Sequence, residues 1–354
     1  MIKIIHSDFE MQFSNAPDIA DINDNDFLKR LLRKQISIWI TSPLVGDTIT
    51  ATPTVREIKR RYRNHEIDVY TFHPEIFLHN ASVSNVYKYD ESLSGSLFYN
   101  KLVEFGYDKS FFTHNGPAYD TIDLSVSNMI DVPSYACLNK YLIPDNEKWL
   151  EIPVAEREMK SMIEKTRDLS LDFNNLVIIH PSMNTPTRTW PPEMWQELTD
   201  RLIYAGFQVA AMGSKYHAKL ANNDYAIGMQ SCPNGAINLI DRLTILESKC
   251  LLDKSFALIT MDTGILHIGL ATNIYIVAMF TIIHPYFRRA WRNGSFYHKF
   301  IVPKPSGNCF FCSFLHRDLL MNKSLAECPK SPLPSCLNSV KNVYSAFNKL
   351  TSIN

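Results

Sequence analysis

The tripeptide at residues 262–264, Asp-Thr-Gly, follows a strand-like run at 256–260 and precedes a helix-like run at 266–272 that contains His267. A strand that opens directly into a helix leaves backbone N–H groups unpaired at one spot, where the helix dipole favours an anion. Glycine lets a ligand approach the backbone closely, and the Asp and Thr side chains can cap the helix or bind ligand hydroxyls. A plain N-cap explains the tripeptide but gives no reason for His267. The segment therefore predicts the place where a diphosphate would bind.

A second candidate is Asp47, which follows Gly46 in a loop after the strand-like run 36–40. A helix predicted at about 48–62 and a strand predicted at 67–72 complete a βαβ unit. Open α/β sheets bind ligands outside the carboxyl ends of their strands, so we expect Asp47 to face a cleft. A carboxylate in that position can act as general base on an attacking hydroxyl. The alternative role of Asp47 is the N-cap of the predicted helix.

A third strand-like run, 176–179, is followed by hydroxyl and guanidinium groups, namely Ser182, Thr187 and Arg188. Arginine can bind phosphate oxygens through two parallel hydrogen bonds, so this cluster is of a phosphate-binding type. Gly213, at the end of the next strand-like run, would let a nucleotide lie close to the backbone. Turns of that kind are also common without a ligand.

Strands and helices must position these residues. Strand-like and helix-like runs alternate along the chain. Such alternation is typical of an α/β protein with parallel sheets wound by helices. The length of 354 residues exceeds a usual single core, so two α/β domains of roughly 150 to 170 residues each are expected. Trp190, just before a helix predicted at 191–205, is interpreted as a packing residue.

The predicted organisation has six parts. They are an N-terminal extension (1–35), a first Rossmann-like domain (36–154), a charged helical connector (155–170), a second Rossmann-like domain (171–308), a cysteine-rich segment (309–336) and a C-terminal helix (337–354).

The composition is that of an ordinary globular protein, with 45% hydrophobic residues, 20% charged residues and a formal net charge of +0. This balance excludes an overall field that would attract nucleic acid or an anionic membrane. We find no apolar stretch near the roughly 20 residues that span a bilayer, and no signal-peptide core at the N-terminus. A cytoplasmic location is therefore expected.

Four of the seven cysteines lie near the end of the chain, at Cys309, Cys312, Cys328 and Cys336. In a cytosolic protein this clustering argues for a metal rather than for disulfides. A C-x2-C pair completed by two later thiolates would form a closed tetrahedral site suited to a structural zinc or iron ion, without an open position for catalysis. The alternative is four reduced, partly buried thiols.

The ordered set of motifs closely resembles the ADP-heptose lipopolysaccharide heptosyltransferase family, glycosyltransferase family 9, from about residue 36 to 336. The motifs are Gly46-Asp47 with Pro53, His180-Pro181 with Arg188-Thr189-Trp190-Pro191, Gly213, and Asp262 to His267. The resemblance implies a GT-B fold, in which two Rossmann-like domains face a central cleft. It places the nucleotide sugar in the second domain and the acceptor in the first. It also implies inverting, metal-independent transfer with no catalytic cofactor.

Carried over by position, the resemblance implies that Asp47 is the catalytic base. Together with the local patterns it indicates a set of donor-binding residues: Ser182, Thr187, Arg188, Gly213, His217, Asp262, Thr263, Gly264 and His267. His217 departs from the family, which usually has a Glu there, and an imidazole cannot supply the two acceptors of a carboxylate. The donor nucleotide is therefore left open.

A second departure from the family lies at residues 281–289, where Gly-Pro-Thr is more usual. Arg288 and Arg289 in this segment would contact phosphate or acceptor, or else be solvated surface arginines.

Five cations on and just beyond the first predicted helix are candidates for acceptor binding: Arg56, Lys59, Arg60, Arg61 and Arg63. A phosphorylated lipid core or an anionic membrane face would dock there, which would allow peripheral membrane contact. The alternative is a solvated helix end whose cations complement the helix dipole.

The predicted function is transfer of a heptose or related sugar from an ADP-heptose-like nucleotide-diphosphate donor to a hydroxyl of a glycan, lipid or protein. Lipopolysaccharide biosynthesis or protein glycosylation would use such a reaction. The cysteine spacing resembles the iron-binding finger of autotransporter heptosyltransferases, although related C-x2-C segments occur elsewhere in the family. Two alternatives are a non-catalytic nucleotide- or glycan-binding protein of the same fold, which His217 favours, and a phage-type DNA sugar transferase, which rests on the basic helix alone.

Overall fold

The computed structural model describes residues 34–89, 106–113, 122, 127–183, 188–219, 226–304 and 336–352. The chain divides into two compact units, Met1–Pro153 and Val154–Asn354. Within the described ranges, no helix has the length and apolar character needed to cross a membrane. The six-part organisation expected from the sequence stays a prediction.

The described part of the first unit is built on a parallel sheet with the strand order β3-β2-β1-β4. Its strands are β1 (Gln35–Ile40), β2 (Glu66–Thr71), β3 (Asn85–Lys88) and β4 (Lys109–Thr113), and its helices are α1 (Val45–Thr50), α2 (Thr52–Arg61) and α3 (Asp131–Cys137). Short 3-10 turns lie at Pro74–Phe77 and Asp145–Glu147. Trp39 of β1 pairs in register with Tyr70 of β2, and their rings stack 3.8 Å apart. Such cross-strand stacking helps to set the register of the sheet.

The single helix predicted at 48–62 is two helices in the structure, α1 and α2, joined at Ala51. Pro53 is the second residue of α2, and proline cannot donate the backbone hydrogen bond that a continuous helix would need there. The first helix also begins three residues earlier than predicted, at Val45. As a result, Asp47 lies within a helix rather than before one.

The second unit has a six-stranded parallel sheet with the order β10-β7-β5-β11-β12-β13. The strands of the unit are β5 (Leu176–His180), β6 (Ser182–Met183), β7 (Gln208–Gly213), β8 (Tyr216–Lys219), β9 (Ala226–Met229), β10 (Ile237–Ile240), β11 (Ala257–Met261), β12 (Tyr275–Met279) and β13 (Phe300–Ile301). Its helices are α4 (Glu156–Thr166), α5 (Pro192–Tyr204), α6 (Ile245–Lys254), α7 (Gly264–Leu270) and α8 (Val340–Thr351), with 3-10 turns at Arg167–Leu169 and Pro285–Arg288.

A second, antiparallel sheet of the order β6-β9-β8 lies beside the parallel one, and the sequence did not predict it. Its strands have two to four residues. Such short strands carry too little alternation of apolar and polar residues to be recognised from sequence.

The core of the second unit joins helix faces to the parallel sheet. In α5 the buried positions repeat at helical spacing, and α8 packs on α5 and β12 with a similar buried stripe. Trp190 is fully buried, its ring meets Trp195 edge to face, and its Nε1–H donates to the Asn338 carbonyl at 2.8 Å. The interpretation of Trp190 as a packing residue is confirmed. Helix α4, in the segment expected to be a connector, packs on α6, where Lys165 pairs with Glu247 at 2.7 Å.

The order of the six parallel strands, counted along the chain, is 3-2-1-4-5-6, the doubly wound Rossmann arrangement. The predicted α/β class with parallel sheets is confirmed. In this arrangement the strand order reverses between β5 and β11, and ligands bind outside the carboxyl ends of the strands at that point. In the first unit the corresponding reversal lies between β1 and β4.

Candidate functional site

Asp262 follows β11 directly, at the point where the strand order of the second unit reverses. Thr263 is the N-cap of α7, yet it makes no side-chain cap hydrogen bond to any described residue; its Oγ1 lies 3.3 Å from Thr260 Oγ1. Asp262 is buried, with 5% of its surface exposed. Its carboxylate binds side chains from other segments, which indicates a role beyond starting the helix.

Two arginines contact the Asp262 carboxylate. Arg188 Nη2 lies 3.3 Å from Asp262 Oδ2 and also donates to the backbone carbonyl of Asp262. Arg288 Nε lies 3.1 Å from Oδ1 and 3.3 Å from Oδ2. Burial by itself would raise the pKa of Asp262, but the charges of Arg288 and Arg188 outweigh it and hold that pKa below its ordinary value. The three groups form a charged cluster, defined here as the Asp262 cluster, whose carboxylate is ionised at neutral pH.

The sequence offered the second arginine of the Asp262 cluster, Arg288, as a contact for phosphate or acceptor, but did not predict that it pairs with Asp262. Arg288 comes from the 3-10 turn after β12, and β12 lies next to β11 in the sheet. Its side chain is 13% exposed, so it is not one of the solvated surface arginines that the sequence offered as an alternative. A contact between residues 26 positions apart has no local sequence signal.

His267 lies one turn into α7 and is 3% exposed. When protonated, its charge also lowers the pKa of Asp262. His267 therefore lies in the electrostatic range of the Asp262 cluster, on the same strand-to-helix segment as Thr263 and Gly264.

Ser182 follows the end of β5, which pairs with β11 in the sheet. It is 3% exposed, and its hydroxyl oxygen has no hydrogen-bond partner among the described residues. A buried hydroxyl left in this way is costly unless a ligand or water bonds it. Ser182 is thus suited to bind a donor group at the same sheet edge as Asp262.

Gly213 ends β7 with a φ of +152°. A Cβ atom at this position would lie 2.5 Å from Met229 Sδ and 2.7 Å from His180 Cε1. The His180 ring is held in place because its Nδ1–H donates to the Met212 carbonyl at 2.7 Å. Close packing of these side chains therefore accounts for the glycine without a nucleotide. Of the remaining donor candidates, His217 lies in β8 and Thr187 lies outside the described residues.

In the first unit, Asp47 is the third residue of α1 and follows β1, next to the reversal of strand order. The N-cap of α1 is Leu44, so the alternative in which Asp47 caps the helix is wrong. Ser42 Oγ donates to Asp47 Oδ2 at 2.5 Å, and His73 Nε2 donates to the Pro43 carbonyl at 2.8 Å. These bonds fix the loop and orient one carboxylate oxygen, while the Asp47 side chain stays partly exposed.

Residues 129–297, which include the whole Asp262 cluster, match the family model described as glycosyltransferase family 9 (heptosyltransferase). Over this range the chain is similar to glycosyltransferase family 9. The predicted enzyme class, a glycosyltransferase, is thereby confirmed. The curated proteins contained no match.

The solved structures that are similar to the chain include the following proteins. A family 9 glycosyl transferase from Veillonella parvula DSM 2008 has a TM-score of 0.66 at 15% identity and covers 91% of this chain and 98% of its own. The E. coli ADP-heptose LPS heptosyltransferase II has a TM-score of 0.61 at 17% identity, with coverage of 90% and 98%. The iron-containing heptosyltransferase TibC from enterotoxigenic E. coli H10407, solved in complex with ADP-D-beta-D-heptose, has a TM-score of 0.60 at 13% identity, with coverage of 91% and 78%. The predicted GT-B fold is confirmed.

The five acceptor candidates near the end of α2 make contacts within the first unit. Arg56 bonds Glu151 at 3.1 Å and lies 3.4 Å from the centre of the Trp149 ring, while Lys59 donates to the His65 carbonyl at 2.8 Å. Arg60 and Arg61 both pair with Glu57, and Arg63 donates to the Arg60 carbonyl. These contacts stabilise the helix end. Arg60, Arg61 and Arg63 are exposed, and acceptor binding by the five stays a prediction.

Three of the four predicted metal ligands, Cys309, Cys312 and Cys328, lie outside the described residues, whereas Cys336 is described and buried. Within the described part of the chain, no group of three or more His, Cys, Asp or Glu side chains could hold a metal ion. A buried thiol suits a structural metal site and a packed core equally well. The cysteine site therefore stays a prediction.

Proposed function

We propose that the chain transfers a heptose or related sugar from a nucleoside-diphosphate donor to an acceptor hydroxyl, with inversion at the anomeric carbon. The observation that carries the proposal is the ion pair between Arg188 and Asp262, where the strand order of the second unit reverses. A guanidinium held at this edge can bind the two phosphates of a nucleotide sugar. The description of the matched family and the donor bound in the TibC structure support a heptose.

In the proposed reaction the donor binds at the carboxyl edge of the six-stranded sheet. Arg188 and the segment Asp262–Gly264 would stabilise the negative charge that develops on the diphosphate. Ser182, whose buried hydroxyl has no hydrogen-bond partner among the described residues, would contribute a further hydrogen bond. Because a guanidinium supplies positive charge where the leaving group departs, we propose that catalysis uses no divalent metal.

Asp47 is the proposed general base. Its carboxylate would take the proton of the acceptor hydroxyl as the acceptor oxygen forms a bond to the anomeric carbon. The bond from that carbon to the diphosphate oxygen breaks, and its electron pair leaves with the diphosphate. Attack on the face opposite the leaving group inverts the configuration. The bond from Ser42 Oγ to Asp47 Oδ2 supports this role, because it orients the carboxylate and leaves the other oxygen for the proton.

For the acceptor we propose only its chemical class, a hydroxyl group of a glycan, lipid or protein. Such acceptors are used in the synthesis of cell-surface glycans and in protein glycosylation. Arg60, Arg61 and Arg63, the exposed members of the basic cluster, are the proposed contacts for an anionic acceptor or membrane face. A cytoplasmic location is proposed from the sequence composition.

The test is a panel of ADP, GDP and UDP sugars incubated with the protein, with and without glycan, lipid and protein acceptors. We expect release of one nucleoside diphosphate, slow without an acceptor and faster with the correct one. Asp47→Asn should bind that donor as the wild type does and reduce turnover by roughly a hundredfold or more. Binding without turnover for every donor and acceptor would leave a binding protein, and unchanged turnover in Asp47→Asn would remove Asp47 from the mechanism.

A further inference from the structure

We infer, on the basis of the proposed function, that His73 and Glu75 are positioning residues for the proposed general base, Asp47. They would act by holding the loop at residues 41–44, which leads from β1 into α1 and so places Asp47. Both lie beyond the carboxyl end of β2, outside the motifs that the sequence analysis singled out.

The topology of the first sheet brings His73 to this loop. β1 and β2 are parallel neighbours, and Ile40 pairs in register with Thr71. The 41–44 loop and His73 therefore leave the sheet side by side at its carboxyl edge. The order β3-β2-β1-β4 places β2 on one side of β1 and the reversal of strand order on the other. Ligands bind at the reversal, so His73 can hold the loop without occupying their place.

Contacts from the end of β2 reach both flanks of Asp47. On the N-terminal flank, His73 Nε2 donates to the Pro43 carbonyl at 2.8 Å. On the C-terminal flank, Thr48 Oγ1 lies 3.3 Å from Thr71 Oγ1, which also accepts the His73 N–H at 3.2 Å. Because Pro43 and Thr48 lie on either side of Asp47, these bonds restrain the direction in which the first turn of α1 points its carboxylate.

Glu75 orients the His73 ring. Nδ1 of His73 lies 3.5 Å from Glu75 Oε1. Burial by itself would raise the pKa of Glu75, but its hydrogen bond with His73, together with weaker contributions, outweighs burial and lowers that pKa. Glu75 is therefore ionised at neutral pH and attracts the Nδ1 side of the ring, which turns Nε2 toward Pro43. A carboxylate on one nitrogen of a histidine fixes the ring for the contact that the other nitrogen makes.

The turn that carries these side chains is anchored in the core. The 3-10 turn Pro74–Phe77 begins with a proline, and Ile76 and Phe77 are buried, with 0% and 1% of their surface exposed. The Ile76 N–H donates to the His73 carbonyl at 3.2 Å. Pro43, by contrast, is exposed. An anchored turn loses little further conformational entropy when it holds a neighbouring loop, so the turn sets the position of the loop.

The position of the loop matters for the proton transfer. Ser42, in the same loop, donates from Oγ to Asp47 Oδ2 at 2.5 Å, so a shift of the loop would also turn the carboxylate. A general base must lie within hydrogen-bond reach of its proton, and a displacement of about 1 Å can cost about a hundredfold in rate. Loss of His73 should therefore lower kcat. It should leave donor affinity unchanged, because the proposed donor residues lie in the second unit.

His65 provides a matched control at the opposite edge of the same sheet. Its Nε2 lies 3.9 Å from Asp108 Oδ2, and its side chain is 20% exposed, against 21% for His73. The two histidines share a carboxylate partner of the same type and a similar exposure. They differ in position, because His65 precedes the amino end of β2 and His73 follows its carboxyl end.

The experiment measures kcat and KM for release of nucleoside diphosphate from the ADP, GDP and UDP sugars of the panel, with the same acceptors. The proteins are the wild type, His73→Ala, His73→Gln, Glu75→Gln and His65→Ala. His73→Ala should lose roughly ten- to a hundredfold in kcat, the usual effect of losing a residue that orients a reacting group, with the donor KM within about twofold of the wild type. His73→Gln should keep most of the wild-type kcat, because glutamine Nε2 can donate to the Pro43 carbonyl in place of the imidazole. Glu75→Gln should lose less than His73→Ala, and His65→Ala should keep the wild-type kcat.

A double variant tests whether His73 acts through Asp47. When His73→Ala is added to Asp47→Asn, the loss in kcat should be no greater than in Asp47→Asn alone, because residues that act as a unit are not additive. A further loss of the size seen in His73→Ala by itself would show that His73 acts elsewhere, and it would overturn the inference.

A wild-type kcat in His73→Ala, with kcat lowered in Asp47→Asn, overturns this inference and leaves the proposed function standing. An equal loss in His65→Ala, or no recovery in His73→Gln, also overturns it, because the role of His73 would then be structural. Should His73→Ala fail to fold, as judged by circular dichroism, Glu75→Gln decides in its place, and an unchanged kcat there overturns the inference. A wild type that turns over none of the sugar nucleotides, or an Asp47→Asn variant with unchanged turnover, contradicts the proposed function and this inference with it.

Discussion

Replacing Asp262 by asparagine tests whether the Asp262 cluster is held together by an ionised carboxylate. The substitution keeps the shape of the side chain and removes the charge that pairs with Arg188 and Arg288. Breaking a buried charge network by removing one partner costs about 3–5 kcal/mol. The arginine side chains keep 24% and 13% exposure, so we expect the lower end, about 3 kcal/mol.

In a unit of this size, 1 kcal/mol changes the melting temperature by about 2–4 °C, so Asp262→Asn should melt about 6–12 °C lower than the wild type at pH 7. Scanning calorimetry is the assay, because two units need not unfold in one transition. The control is Asp168→Asn, which removes an exposed pair with Arg242 at 2.8 Å. Exposed pairs contribute about 0–1 kcal/mol, so this variant should melt within a few degrees of the wild type.

The direction of the Asp262 pKa shift determines how its contribution to stability changes with pH. Because the folded pKa of Asp262 is lowered, its stabilising contribution is fully present above the unfolded pKa, about 3.9, and is lost as the pH falls through the folded value. The difference in melting temperature between wild type and Asp262→Asn should therefore not fall between pH 8 and 5, and should shrink only below about pH 4. Equal effects of the Asp262 and Asp168 substitutions, or a difference that disappears between pH 7 and 5, would refute the reasoning.

Two further predictions concern packing and metal content. Gly213→Ala places a Cβ atom 2.5 Å from Met229 Sδ. The control is Gly206→Ala, because Gly206 also has a positive φ but a Cβ atom there would have no atom within 4 Å. Thermal melting of both variants should show Gly213→Ala to be less stable than the control by about 1–3 kcal/mol. Equal losses would mean that backbone conformation, not packing, requires Gly213. Elemental analysis of wild-type protein purified without chelators should find about one equivalent of zinc or iron. The Cys312→Ser variant should be less stable than the wild type, because it loses a ligand of that metal. Far less metal, with all four thiols reactive in the native state, would show that the cysteines are packed thiols.

Local patterns predicted the strand-to-helix segments that carry the candidate residues. The strand predicted at 256–260 is Ala257–Met261, and the one predicted at 176–179 is Leu176–His180. Runs of β-branched and apolar residues followed by a turn are visible in a short window, because their cause is local. The same window failed at the first helix, where Pro53 divides one predicted helix into two, and where α1 begins at Val45 so that Asp47 lies inside it.

By itself, the sequence determined the α/β class, the order of the motifs and the residues at the carboxyl ends of β1, β5 and β11, because each depends on neighbouring residues and on a parallel sheet. Only the tertiary structure decided which of those residues meet. The pairing of Asp262 with Arg188 and Arg288 joins segments 74 and 26 positions apart, and it exists because β5, β11 and β12 lie side by side in one sheet. Burial then raises the strength of each charge contact, which makes Arg288 part of the site although no local pattern distinguishes it from its neighbour Arg289.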